Sequence, residues 1–201
     1  MTELEDIKFY YDYKSPFAYL ALEPALALET SHRVKLRPIP AEIDIPTVFG
    51  GVEDRTERSW NKVRYLYLDA RRFANERGLT LLGPQKVFDS RLSLLGGLYA
   101  ETQGLFAPYS KRVFEGFFQR RLDLENVEAL ERAMEEVGCD PAGFRDYAEG
   151  AGPEALARAT EERNADRVFG VPTLLVRGEP FWGYDRLNWV VRKLDQLELR
   201  R

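Results

Sequence analysis

The sequence predicts an α/β fold in which a layer of strands and helices is interrupted by a long, all-helical insertion. Three observations carry this reading. Residues 7–43 spell a strand–helix–strand unit, residues 56–165 hold helix-like segments and no convincing strand, and residues 171–199 spell a hairpin followed by a helix. Residues 1–48 and 166–201 are accordingly assigned to the sheet-bearing domain, and residues 49–165 to the insertion.

The first strand is "IKFYYDY", residues 7–13, which mixes Ile7, Phe9 and three tyrosines without helical spacing. The following helix is read from Phe17, Leu20, Ala21, Pro24, Ala25 and Leu28, which recur at helical spacing, with Pro24 expected to bend it. "RVKLRPIPAEI", residues 33–43, alternates apolar and polar positions and is the second strand, parallel to the first if both share a sheet. Helix-like segments then follow from "TERSWNKVRYLYLDARRFANERG" to "GPEALARATEERNA", several opening on Asp, Ser or Asn and closing on Gly. Their unequal lengths and patterns exclude a repeat array. In "VPTLLVRGEPFWG", residues 171–183, two short strand-like runs flank a turn at "RGEP". The last helix gathers Leu187, Val190, Val191, Leu194 and Leu197 on one face.

Composition narrows the chemistry. The chain has 201 residues, 44% apolar, enough for a substantial core, and its 29 basic residues against 33 acidic ones give a net charge of −4. That balance argues against nucleic acid or an anionic membrane as the partner. No apolar run is long enough to span a membrane, and the opening "MTELEDIKFYYDY" lacks the features of a signal peptide, so a soluble cytoplasmic protein is expected. A single cysteine, Cys139, and a single histidine, His32, cannot form an intramolecular disulfide, a CxxC pair or a Cys/His zinc site. No metal is expected. His32 reads as a solvated residue at a helix end and Cys139 as a packing residue between helices.

Three places remain for chemistry. Ser15-Pro16 is a strong helix start: the serine oxygen accepts a hydrogen bond from a free amide, and proline fits the first helical position. The same helix end favours an anion, to which the Ser15 hydroxyl can donate its proton, and with no base nearby in sequence Ser15 does not read as a covalent nucleophile. Pro172 opens a strand and reads, taken alone, as structural; in the cis form it would let Val171 turn its N–H and C=O toward an extended, peptide-like ligand. In "FWGYDRL", Asp185 stands where an N-cap for the last helix belongs, Gly183 relieves the turn, and the same helix end suits a ligand carboxylate while Asp185 suits an ammonium group.

The succession "DYKSPFAYLA", "KVRYLYLDARRFANERGL" and "VFGVPTLLVRGEPFWGYDRL" resembles the 2-hydroxychromene-2-carboxylate isomerases and kappa-class glutathione transferases, which have a DsbA-like thioredoxin fold with a large helical insertion. The disulfide-exchanging relatives carry a CxxC pair in the first motif. Here "SPFA" holds Ser15 and Ala18 instead, which excludes disulfide exchange at this site.

The resemblance implies that glutathione, or another low-molecular-weight thiol, supplies the sulfur, with Ser15 donating a hydrogen bond to its thiolate. Val171, before a Pro172 expected to be cis, would pair with the cysteinyl unit. Gly183, Tyr184, Asp185 and Arg186 would hold the γ-glutamyl end, Asp185 facing its ammonium group and the Tyr184 and Asp185 amides its carboxylate. Lys62 begins a family-like pattern with Tyr65, Asp69 and Arg72; it reads either as a lysine facing the cleft or as a solvated helix lysine. The expected activity is a glutathione-dependent isomerisation of an electrophilic, aromatic small molecule by a homodimer. Kappa-class-like conjugation and a non-catalytic thioredoxin-fold binding module are the alternatives. Departures fall on the substrate side: Tyr184 replaces a smaller polar residue, "GGVEDRTERSWN" lacks the isomerases' Asn unless Asn61 substitutes, and Val87 and Phe88 stand where the isomerases are more polar.

Overall fold

The computed structural model describes residues 4–49, 53 and 55–201. Strand β1 (Glu5–Tyr11) pairs in parallel with β2 (Val34–Pro40) and antiparallel with β3 (Thr173–Val176), which pairs antiparallel with β4 (Glu179–Trp182). The order is β2-β1-β3-β4. Side chains alternate along a strand, so Ile7, Phe9 and Tyr11 enter the larger core while Tyr10 joins Ile39, Ala159 and Leu175 in a separate cluster. Both faces of β1 are therefore covered at its C-terminal end, which explains the consecutive buried Phe9, Tyr10 and Tyr11.

Helix α1 (Pro16–Ser31) joins β1 to β2 and buries eight residues, from Pro16 to Leu28. Pro24 does not end it. Proline has no amide to offer the carbonyl four residues earlier, and that carbonyl, Leu20 O, instead accepts a 2.5 Å bond from Arg77, whose guanidinium also meets Glu23 at 2.7 Å.

Between β2 and β3 the chain is helical, as the sequence predicts. It runs through α2 (Ile45–Phe49), α3 (Glu57–Glu76), α4 (Arg91–Thr102), α5 (Phe106–Phe118), α6 (Val127–Glu136), α7 (Phe144–Glu149) and α8 (Ala151–Ala165). The five residues of α2 are too few to leave a periodic signal. Glu162 and Asp166, on and just after α8, clamp it to the sheet: Lys8 pairs with both, Tyr10 donates to Asp166, and Arg37 pairs with Glu162.

The β3–β4 hairpin turns at Arg177 and Gly178, both left-handed with φ of 48° and 80°, as a two-residue turn requires. Helix α9 (Leu187–Gln196) follows a 3-10 turn at Tyr184–Arg186 and buries Val190 and Leu194. No helix among the described residues is long and apolar enough to cross a membrane.

Candidate active site

The C-terminal ends of β1, β2 and β4 and the start of β3 lie at one end of the sheet, and a cavity of 1020 Å³ opens there. Sites in α/β layers commonly lie at such strand ends. The cavity gathers Ser15, Val171, Pro172, Gly183, Tyr184, Asp185 and Arg186, from segments far apart in the chain.

The turn carrying Ser15 is built by Asp12. Its main-chain oxygen accepts from the Ser15 amide at 2.9 Å, and its carboxylate accepts from the Lys14 amide at 2.9 Å and the Ile43 amide at 2.6 Å. Burial raises the Asp12 carboxyl above the usual carboxylate range, opposed by the Lys14 charge and by these two amides. Ser15 caps α1 as the sequence predicts, its Oγ accepting from the Ala18 amide at 3.1 Å. The acceptor nearest the hydroxyl as donor is Val171 O, but at 3.5 Å, the outer limit of a hydrogen bond. Ser15 thus keeps a proton to donate, beside the positive end of a 16-residue helix.

The Val171–Pro172 bond is cis. Among the described residues the Val171 amide donates to no acceptor, and its carbonyl meets only the long Ser15 contact. An extended peptide fits this pattern, because it can pair with both groups. Pro172 O accepts from the Gly183 amide at 2.9 Å, which ties this segment to the last turn.

Asp185 does not cap α9. The helix enters through the 3-10 turn, no side chain caps either element, and Asp185 instead pairs with Arg186 at 3.1 Å. Gly183 has φ 112°, and a Cβ there would lie 2.7 Å from Asp185 Oδ1, so the carboxylate folds back over the glycine. The amides of Tyr184 and Asp185 donate to no acceptor among the described residues, leaving two donors at the helix entrance for an anionic group. The Tyr184 ring packs edge-on against Phe73 at 5.1 Å, and Phe73 against Phe17 at 6.5 Å, forming an aromatic wall.

Residues 6–195 match the family model of the DSBA-like thioredoxin domain. The chain belongs to the DSBA-like thioredoxin family. The 2-hydroxychromene-2-carboxylate isomerase of Pseudomonas putida is 29% identical over 185 residues, covering 90% of each chain. A solved 2-hydroxychromene-2-carboxylate isomerase superposes with a TM-score of 0.79 at 26% identity, covering 96% of this chain and 95% of that one. A probable DsbA oxidoreductase from Streptomyces coelicolor reaches a TM-score of 0.76 at 16% identity, covering 96% and 89%, a likeness of fold.

In this DSBA-like thioredoxin chain Lys62 is not brought into the cavity. Burial along α3 is confined to Ala70 and Ala74, so the helix's first half stands proud of the core and Lys62 is exposed. It shares a helical stripe with Leu66, Asp69 and Phe73, which do line the cavity. Of the segment at residues 50–61, Gly50 to Val52 and Asp54 lie outside the described residues. Arg55 and Trp60 line the cavity, the guanidinium 4.9 Å from the indole, whereas Asn61 is exposed and accepts from Arg64 at 3.2 Å. Val87 and Phe88 do line it, adding apolar surface to the cavity wall.

His32 is 2% exposed rather than solvated, because Ser31 meets its Nδ1 at 2.8 Å and Asp195 its Nε2 at 3.3 Å, away from the cavity. Cys139 is buried and burial pushes its thiol up, consistent with a packing role. Sequence reasoning missed Asp12, Lys14 and Glu42. The first two stand inside the quoted "DYKSP", where an Asp three residues before the helix cap was the available signal. Glu42 gave none.

Proposed function

We propose that this chain is a glutathione-dependent isomerase of the 2-hydroxychromene-2-carboxylate isomerase type. The observation that carries the reading is the Ser15 hydroxyl, whose oxygen is engaged by the helix while its proton is left for a ligand, in a motif that has no cysteine of its own. The relatives named as isomerases support the reaction class.

Val171, with Pro172 holding the segment, would take the cysteinyl backbone of glutathione. Gly183, Tyr184, Asp185 and Arg186 would take its γ-glutamyl end: two free amides for the carboxylate and Asp185 for the ammonium group. Bound glutathione supplies a thiol whose sulfur can add reversibly to an unsaturated carbonyl compound. Ser15 donates to that sulfur as a thiolate, and the start of α1 favours the negative charge, which together lower the thiol's pKa from its free value of about 8.5. Phe17, Phe73 and Tyr184 would pack the organic substrate and exclude water.

Calorimetry with glutathione, followed by an assay of 2-hydroxychromene-2-carboxylate turnover with and without it, tests the reading. Binding together with glutathione-dependent isomerisation is expected. Turnover that ignores glutathione, or binding with no turnover of this compound, overturns it; accumulation of a released glutathione adduct assigns conjugation instead.

A further inference from the structure

Four acidic residues among those described line the cavity, and the carboxylates of three are engaged: Asp44 with Thr47, Asp69 with Arg72 at 3.1 Å, and Asp185 with Arg186 at 3.1 Å. Glu42 is half-buried, yet its carboxylate has no hydrogen-bond or ion-pair partner among the described residues. Half-buried and without such a partner, it loses part of its hydration, which disfavours the charged form.

Its main chain, by contrast, is fixed on every side. β1 and β2 end in register at Tyr11 and Pro40, and the Ala41 amide continues that ladder by donating to Tyr11 O at 2.8 Å. The Ile43 amide donates to Asp12 Oδ2, Lys14 Nζ donates to Ile43 O at 2.9 Å, and Arg163 donates to Glu42 O at 3.2 Å. Glu42 is therefore held beside the Asp12–Lys14 turn that delivers Ser15, and it lines the same cavity. We infer that Glu42 is a general acid–base residue of this site, exchanging a proton with the carbonyl oxygen of a bound, unsaturated carbonyl substrate. The inference rests on the thiol-dependent reading above.

The charged groups facing Glu42 come from several elements. Lys14, on the β1–α1 turn, and Arg91, at the start of α4, favour its ionised form; Asp12, after β1, and Asp89, before α4, favour its protonated form. Arg163, on α8, binds its main-chain carbonyl. Burial is the largest influence, and it holds the carboxyl above its ordinary range, toward the protonated form a general acid needs.

The step balances without oxidant or reductant. As a thiolate sulfur adds to the far carbon of the unsaturated system, the alkene pair shifts to form a double bond to the carbonyl carbon and the carbonyl π pair moves onto its oxygen; the Glu42 O–H bond breaks and its proton goes to that oxygen, giving an enol. Rotation follows about the bond made single. The Glu42 carboxylate then removes the same proton, the oxygen pair re-forms the carbonyl, the enol pair re-forms the alkene, and the carbon–sulfur bond breaks with its pair leaving on sulfur as the thiolate.

The test is Glu42→Gln, which keeps size and removes the proton. Expected is a kcat lower by about 10²-fold or more, as for loss of a general acid–base group. KM and glutathione affinity should stay within about twofold of wild type. Wild-type kcat should fall at high pH as Glu42 ionises, and this alkaline limb should vanish in Glu42→Gln and return in part in Glu42→Asp. Carbon NMR of the ligand-free protein should show several carboxyls titrating above the ordinary range, Asp12 and Glu101 among them, and Glu42→Gln should remove one of these resonances while leaving those two in place. A Glu42→Gln protein that binds glutathione normally and keeps wild-type kcat and its alkaline limb overturns the assignment. Failure of the unaltered protein to bind glutathione overturns the thiol reading itself, and the inference with it.

Discussion

The Ser15 hydroxyl oxygen lies 3.5 Å from the carbonyl oxygen of Val171, a residue 156 positions away, while the same hydroxyl caps its own helix at 3.1 Å. The two contacts differ in kind. The cap uses an oxygen lone pair and is of ordinary length; the contact to Val171 uses the proton and is too long to satisfy it. A ligand sulfur entering between these segments therefore gains a donor at little cost to the fold.

Ser15→Ala should separate the two roles. Loss of the cap costs about 1 kcal/mol of stability, and removal of the donor should lower turnover by about 10²-fold, the scale of losing one aimed hydrogen bond to a developing or stored anion. Bound glutathione should also become a weaker acid, its thiol pKa returning toward about 8.5. Denaturant melts, kinetics and the ultraviolet absorbance of bound thiolate measure the three effects. Full activity in a folded Ser15→Ala protein would remove Ser15 from the mechanism.

How far the sequence reveals this arrangement depends on the range of each interaction. Ser15, Pro16 and the α1 cap are local, and "KSPFAYL" states them outright. The grouping of Val171 and Pro172 with Gly183 to Arg186 on one cavity came from family resemblance, since nothing in "GVPT" or "GYDR" alone says that Pro172 O meets the Gly183 amide. Glu42 stayed invisible because its position is fixed by three non-local partners, Asp12, Lys14 and Arg163, none of which has a characteristic spacing to it. Asp185 was misread as a cap because a 3-10 turn and an α-helix begin with the same residue types, and the difference is settled by the tie between Gly183 and Pro172.

Asp12→Asn should change the pH dependence of stability. A carboxyl whose folded pKa lies above its ordinary value of 3.8 binds more protons folded than unfolded between those two values, so its contribution to stability falls as pH rises through that window. Asparagine loses one acceptor toward the Lys14 or Ile43 amide, a cost of about 1–3 kcal/mol. The variant should therefore be less stable, with the gap narrowing as pH rises from about 4, just above the ordinary Asp value. Urea melts across that range check it; a gap that widens would contradict the assignment of Asp12.

Arg77→Ala should destabilise α1 although Arg77 lies just beyond α3. It strips the Leu20 carbonyl of the donor that stands in for the missing Pro24 amide, leaving an unsatisfied acceptor worth about 1–3 kcal/mol. Adding Pro24→Ala restores an amide four residues from Leu20 and should recover most of the loss. A double-mutant cycle on thermal or urea melts reads that coupling, and purely additive effects would show that Arg77 acts elsewhere.

Gly183→Ala tests the far end of the site. The backbone at residue 183, with φ 112° and ψ 149°, belongs to a region populated almost only by glycine, and an added Cβ would meet Asp185 Oδ1 at 2.7 Å. The strain should cost about 1–3 kcal/mol. Because that contact displaces the Asp185 carboxylate, and because the Gly183 amide anchors Pro172 O, the same change should weaken glutathione binding more than it weakens the fold. The proposed γ-glutamyl contacts allow that to be resolved chemically: the variant should discriminate less between glutathione and cysteinylglycine, which lacks the γ-glutamyl group. Calorimetry with both thiols, beside denaturant melts, gives the comparison, and unchanged discrimination in a destabilised variant would place the γ-glutamyl end elsewhere in the cavity.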